Sequence, residues 1–168
     1  KDFTETKVEC QGRQYKGLKF SKADIKLICL LNQKTGAAAY HIYNDADQSV
    51  YPFIRIENGN DYIIAMPQSM MDGAQAPESY AETSMEFEKG TIQVYQQDGA
   101  DTCLIYAMNS EGQKGWYEYQ TTDKTYQAYE VQSSQEETPA DGEEQQVTDT
   151  SSESQDNSQS TQYEELKQ

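Results

Sequence analysis

One pattern is written twice in this chain, and any fold has to accommodate both copies. The stretch Gly36 to Phe53, GAAAYHIYNDADQSVYPF, is echoed by Gly112 to Tyr129, GQKGWYEYQTTDKTYQAY, at a constant separation of 76 positions (Gly36 to Gly112). Tyr40 falls on Trp116, Tyr43 on Tyr119, Asp47 on Asp123 and Phe53 on Tyr129. Upstream, one residue is lost from a loop and the separation becomes 77 (Asp24 to Asp101). Leu27 then meets Leu104, Ile28 meets Ile105 and Asn32 meets Asn109, while Thr6-Lys7-Val8-Glu9-Cys10 meets Thr83-Ser84-Met85-Glu86-Phe87. Two copies of so long a period do not make a solenoid or a propeller. Two similar units around one shared core are expected.

Each unit reads as a meander of strands. Thr6 to Cys10 and Arg13 to Phe20 flank Gln11-Gly12 as a hairpin. Ser21 to Asp24 has the spacing of a helix capping box, so a short helix competes with a strand for Ile25 to Leu31. The strand is preferred because the counterpart, Thr102 to Met108, is rich in β-formers. On that strand Leu27, Cys29 and Leu31 share a face by the period of two, as do Leu104, Tyr106 and Met108, and both sets are expected in the core. Ala38 to Asn44 and Ser49 to Ile56 continue the first unit, and Lys114 to Gln120 and Thr125 to Val131 the second. Asp61 to Met66 is one further strand with no counterpart in the second unit.

The expected fold class is therefore all-β: two similar antiparallel meander repeats, about 6–66 and 80–131, joined by a linker over 67–79, forming one barrel-like or sandwich domain of ten or eleven strands over 1–131. From Gln132 on, Ser, Thr, Gln, Glu and Asp dominate and few apolar residues remain. Such a composition cannot offset the entropy of ordering the chain, so 132–168 is expected to be a disordered acidic tail.

The sequence carries 29 acidic and 13 basic residues, a net charge of -16, which repels phosphate backbones and argues against a nucleic-acid partner. No apolar run approaches the ~20 residues that span a bilayer, so no direct membrane insertion by this chain is expected. The chain opens on Lys1 without a methionine or a leader pattern, which leads us to expect a processed or excised part of a longer protein. Cys10, Cys29 and Cys103 show no metal or redox spacing and read as small buried side chains; a Cys10 to Cys29 bridge remains an alternative, and would leave Cys103 free.

Little chemistry is written into the motifs. His41 is the single histidine and stands where the other unit has Tyr117, and no GxSxG, HExxH or glycine-rich phosphate loop accompanies it. It reads as structural. Asp45 and Asp47 resemble the start of a calcium loop, but the sixth position is not glycine and Ile56 at the twelfth supplies no carboxylate, so turn chemistry is the reading and weak calcium binding the alternative. Neither a metal nor a cofactor is called for. What stands out is aromatic content. Tyrosine rings and Trp116 on a wet sheet face would offer flat apolar area with polar rims, suited to sugars or an extended chain, whereas packing pairs inside the fold are the competing reading. The copies differ where Ile42 becomes Glu118, Val50 becomes Tyr126 and Ile54 becomes Glu130. If these lie on the side of Trp116, the contact surface gathers Trp116, Glu118, Tyr126 and Glu130.

At YHIYNDADQSVYPF and WYEYQTTDKTYQAY, preceded by KLICLLN and CLIYAMN, the chain resembles extracellular C-terminal domains of uncharacterised membrane-anchored proteins of Gram-positive bacteria. Some of these carry an N-terminal zinc ribbon and one transmembrane helix. The resemblance covers roughly 6–131 and implies an extracellular or cell-surface location, anchored through a segment outside this sequence. It transfers no activity. The functional expectation is a non-enzymatic surface module that binds a protein or glycan ligand; the alternatives are a dedicated carbohydrate-binding module and an enzyme using His41.

Overall fold

The computed structural model describes residues 1–131; the expectation of a disordered tail over 132–168 lies outside the described residues. Twelve strands are present among them: β1 Phe3–Cys10, β2 Arg13–Phe20, β3 Lys26–Leu31, β4 Ala38–Asn44, β5 Ser49–Pro52, β6 Arg55–Asn58, β7 Asp61–Ala65, β8 Ala81–Phe87, β9 Gly90–Gln96, β10 Thr102–Asn109, β11 Lys114–Gln120 and β12 Thr125–Tyr129. A single 3-10 turn, Gln68–Met70, lies in the linker. The strands form two antiparallel sheets packed as a sandwich. The first is β1-β2-β3-β4-β5; the second runs β12-β11-β10-β7-β6, with the β8-β9 hairpin branching from β10.

The strand count exceeds expectation because Ser49 to Ile56 is two strands. Pro52 has no N–H with which to continue a ladder. The chain leaves the first sheet at Phe53-Ile54, and Arg55–Asn58 pairs with β7 in the second. The competing helix at Ser21 is absent, and Lys26–Leu31 is a strand.

Strand order and register correspond in the two halves. Thr6 faces Gly17 as Thr83 faces Val94, and Leu18 faces Leu27 as Tyr95 faces Leu104. Lys26 faces Tyr43 as Cys103 faces Tyr119, and Ile42 faces Tyr51 as Glu118 faces Gln127. Each pairing follows the separations of 77 and 76 read from the sequence.

The main core lies between the sheets. Phe20, Leu27 and Ile42 of the first meet Leu104, Tyr106, Met108 and Trp116 of the second, with Met66 and Met71 from the connection. Both sheets also curl around smaller cores on their far faces: Val8, Ile28 and Tyr43 in the first, and Val94, Ile105, Tyr119, Ile54 and Ile63 in the second. Curling of the first sheet needs Gly17, where a Cβ would stand 2.5 Å from the Leu27 carbonyl oxygen and 2.6 Å from Val8 Cγ2. The second sheet bends until Asn58 Nδ2 donates to the Tyr126 carbonyl at 3.2 Å, so that β6 approaches β12. A small barrel-like half results.

One expected core position is not core. Leu27 is buried, but Leu31 on the same face is 68% exposed, because the connection Met66 to Ala76 covers the second half at Met108 and nothing comparable covers the first at Leu31. The three cysteines are free thiols, and Cys103 is fully buried. Cys10 lies with the small core, and Cys29, opposite Tyr40, with the face toward the second sheet, so a Cys10 to Cys29 bridge is excluded by the sheet between them.

Candidate functional site

The four residues singled out from sequence do not form one surface. Trp116 is 7% exposed and fills the main core, with ring centroids 5.2 Å from Tyr95 and 5.3 Å from Tyr106, both edge-on. Glu118 shares its face and accepts from Gln127 Nε2 at 2.9 Å. Tyr126 is directly opposite Tyr119 across the β11-β12 ladder, and Trp116 opposite Tyr129. By the alternation of side chains along a strand, Tyr126 and Glu130 therefore belong to the other face. Tyr126 packs edge-on against Tyr117 at 5.7 Å beside the barrel core, and Glu130 is exposed past the end of β12. The shared-face expectation is corrected by this register. It expected regular hairpin pairing to set Tyr126 and Glu130 on the side of Trp116, whereas the pairing, which is regular, sets Gln127 and Tyr129 there. Val50, the counterpart of Tyr126, is itself 41% exposed.

The remaining candidates are structural in their surroundings. His41 Nδ1 lies 3.2 Å from the Ala39 carbonyl oxygen, its one hydrogen-bond partner among the described residues. Asp45 pairs with Lys26 Nζ at 2.7 Å. Asp47 accepts from the Ser49 hydroxyl and, at 3.0 Å, from the Ser49 N–H; these hydrogen bonds hold its carboxyl below the usual range. Both carboxylates serve the turn. Among the described residues no group of three His, Cys, Asp or Glu side chains converges as a metal site would require.

A cleft does open in the second half, at the mouth of the barrel-like sheet. It encloses about 950 Å³, with Ile54, Met85, Phe87 and Tyr119 as apolar floor and Arg55, Glu86, Glu88, Lys89 and Lys124 around it. The Phe87 and Tyr119 rings are 5.7 Å apart and tilted. The first half shows what this place looks like when shut. There the Tyr43 hydroxyl donates to the Glu9 carbonyl at 2.9 Å, and the Gln11 N–H donates to Gln48 Oε1 at 3.2 Å, tying the β1-β2 hairpin to the β4-β5 turn. The counterparts of those four residues, at the same separations, are Tyr119, Glu86, Glu88 and Lys124, and all four line the open cleft.

The reason for the difference is legible in side-chain size. Phe87 stands at the place of Cys10, and Ile54 enters from the crossing segment, so a ring and a branched side chain fill the space across which the first hairpin closes. A floor of rings beneath a mixed-charge rim can hold the flat face of a ligand while the rim reads its polar edge. Comparison of Phe87 with Cys10 and Lys124 with Gln48 was the sequence signal for this site; attention to strand faces alone passes over it. No protein-family model, curated protein or solved structure matches this chain.

Proposed function

We propose that the chain is a non-enzymatic binding module whose ligand, a protein segment or a glycan, enters the barrel mouth over Phe87 and Tyr119. The observation that carries this reading is that the second half holds open, with larger apolar side chains, a mouth the first half closes with two hydrogen bonds. The same correspondence of registers supports reading the two meanders as copies of one unit, one keeping the closed form and the other adapted for binding. A sugar is favoured among ligands by the paired rings of the floor. Against an enzyme stands the environment of His41, whose hydrogen bond goes to a backbone carbonyl rather than a carboxylate. A cell-surface location, through an anchoring segment outside this sequence, rests on the resemblance of the repeated pattern to extracellular domains.

The experiment is a glycan and peptide array probed with the complete chain and with Phe87→Cys/Lys124→Gln, which rewrites the second mouth in the residues of the first. Binding that disappears in the double variant while the circular dichroism spectrum is kept is the expected outcome. Binding that persists undiminished removes the mouth as the site, and an array without a single binder removes the reading itself.

A further inference from the structure

A second opening has a different character. On one edge of β10, β9 is held through Tyr95 and Gln96, while β7 occupies the next stretch, with Ala65 facing Ala107 and the Met66 N–H donating to the Tyr106 carbonyl at 2.9 Å. The two neighbours compete for the same edge, and β9 gives way: Gly90 to Val94 pair with β8 alone. Between the diverging strands lies a cleft of about 500 Å³. Three consecutive residues of β9, Thr91, Ile92 and Gln93, line it. Side chains of one face alternate, so consecutive lining means that the cleft meets the strand along its edge. Successive residues of a strand turn their N–H and C=O groups to opposite sides. Gly90, Ile92 and Val94 turn theirs to β8 across the hairpin closed at Phe87 and Gly90. Thr91 and Gln93, of the same parity as Tyr95, which pairs with β10, therefore present both groups to the fork, where no strand pairs with them among the described residues.

The lining also specifies charge. None of it is ionisable as an acid or base near neutrality, in a chain of net charge -16. Pro52, Met66 and Ile92 are apolar, and Tyr51, Ser69 and Gln93 are neutral hydrogen-bonding groups. The Tyr51 hydroxyl accepts from Ser69 Oγ at 2.9 Å and, since the Ser49 proton goes to Asp47, donates to Ser49 Oγ at 3.0 Å, which fixes that wall. A cation entering finds no carboxylate, and an anion meets the repulsion of the whole chain. The edge that meets the cleft, Thr91 to Gln93, spans roughly 10 Å at about 3.3 Å per residue. It is bounded at Gly90 by Pro52, which stands 2.7 Å from where a Cβ would be; the room suits a short extended segment.

We propose that this fork binds an uncharged extended peptide segment of another protein, which adds as a strand to the free edge of β9. The site is separate from the barrel mouth and does not depend on it. Main-chain hydrogen bonds to β9 supply the attachment, and the neutral walls select against charged side chains.

The test is residue-resolved amide hydrogen exchange on the complete chain with the probe acetyl-Thr-Val-Thr-Val-Thr-amide at millimolar concentration. Two controls accompany it: the same peptide N-methylated at alternate residues, and a version with glutamate replacing threonine. The Thr91 and Gln93 amides are expected to exchange about tenfold more slowly with the first probe, equivalent to about 1.4 kcal/mol, while those of Gly90, Ile92 and Val94, turned to β8, stay unchanged. The N-methylated peptide, unable to donate along one edge, should have no effect, and the glutamate peptide a smaller one. Absence of slowing, or equal slowing by the N-methylated peptide, overturns the proposal. Slowing confined to Tyr119 and Lys124 also overturns it, while leaving the mouth in place as a binding site. Conversely, loss of mouth binding in Phe87→Cys/Lys124→Gln with the β9 effect intact separates the two failures.

Discussion

Replacing Gly17 with alanine tests whether the first sheet is curled as tightly as its small core requires. The added methyl would lie 2.5 Å from the Leu27 carbonyl oxygen and 2.6 Å from Val8 Cγ2, against ~3.5–4.0 Å for comfortable contact. Val8 can turn only within a packed core, and the Leu27 oxygen is backbone of the neighbouring strand, so β1 or β3 has to move. Overpacking of this kind costs about 1–3 kcal/mol, and the restricted unfolded chain returns about 0.5–1 kcal/mol. The net loss is about 1–2 kcal/mol, or a fall in Tm of roughly 3–10 °C for a domain of this size. Gly115 in β11 provides the opposite sign: nothing lies within 4 Å of its virtual Cβ, so Gly115→Ala should gain about 0.5–1 kcal/mol. Thermal and urea unfolding followed by circular dichroism measure both, with unchanged m-values showing that the unfolding unit is the same. A Gly17→Ala protein as stable as the parent would refute the close approach of β1 and β3 and the curl built on it.

Trp116→Ala should destabilise the domain by about 3–5 kcal/mol, whereas Trp116→Phe, which keeps a ring in the core, should cost less and keep the far-ultraviolet circular dichroism spectrum; equal stability of the alanine variant would contradict a core role. Alkaline pH is expected to weaken the fold in a defined window. The Tyr62 phenol is pushed up to about 12 by burial and by its hydrogen bond to Asp2, and that of Tyr126 to about 12 by burial. The unfolded chain ionises first, near pH 10. The stability these neutral phenols contribute is therefore intact below pH 10 and lost on the way to pH 12, and a flat urea midpoint across that interval would contradict it. Alkylation should distinguish the thiols: Cys10 and Cys29 are partly exposed, while Cys103 is fully buried with its thiol raised to about 11 by burial. Two labels on the native chain and a third only in denaturant are expected, and rapid labelling of Cys103 by mass spectrometry would count against its placement.

The meanders were readable in sequence because they are governed by short-range rules: alternation, turn residues, and the near-repeat of Tyr43 as Tyr119. Even the pairing registers follow from the two separations. Pro52 carried the signal for the break at Phe53-Ile54, although nothing local announces that the next strand belongs to the other sheet. Leu31 misled for a related reason. Its periodicity is that of a core residue, but burial depends on what the rest of the chain lays over it, and the segment that covers Met108 comes from a connection without internal counterpart. The expected contact surface failed at a single step of parity, since Tyr126 faces Tyr119 rather than sharing a side with Trp116. The barrel mouth was visible only as substitutions whose meaning depends on two hydrogen bonds, Tyr43 to Glu9 and Gln11 to Gln48, that sequence does not display.

Each sheet is contiguous along the chain: the first ends at Pro52 and the second begins at Arg55. On a ribosome the first sheet can zip up hairpin by hairpin before the second exists. At ~5–20 residues per second, the stretch from Phe53 to Tyr129 takes roughly 4–15 s to synthesise. Through that interval Phe20, Leu27 and Ile42, which end up fully buried against the second sheet, face the crowded interior of a cell with no partner. The nascent chain is most vulnerable to sticking to its neighbours at that half-length. Translation pauses or chaperone occupancy placed shortly after Pro52 would then change the yield of native protein without altering the stability of the finished fold.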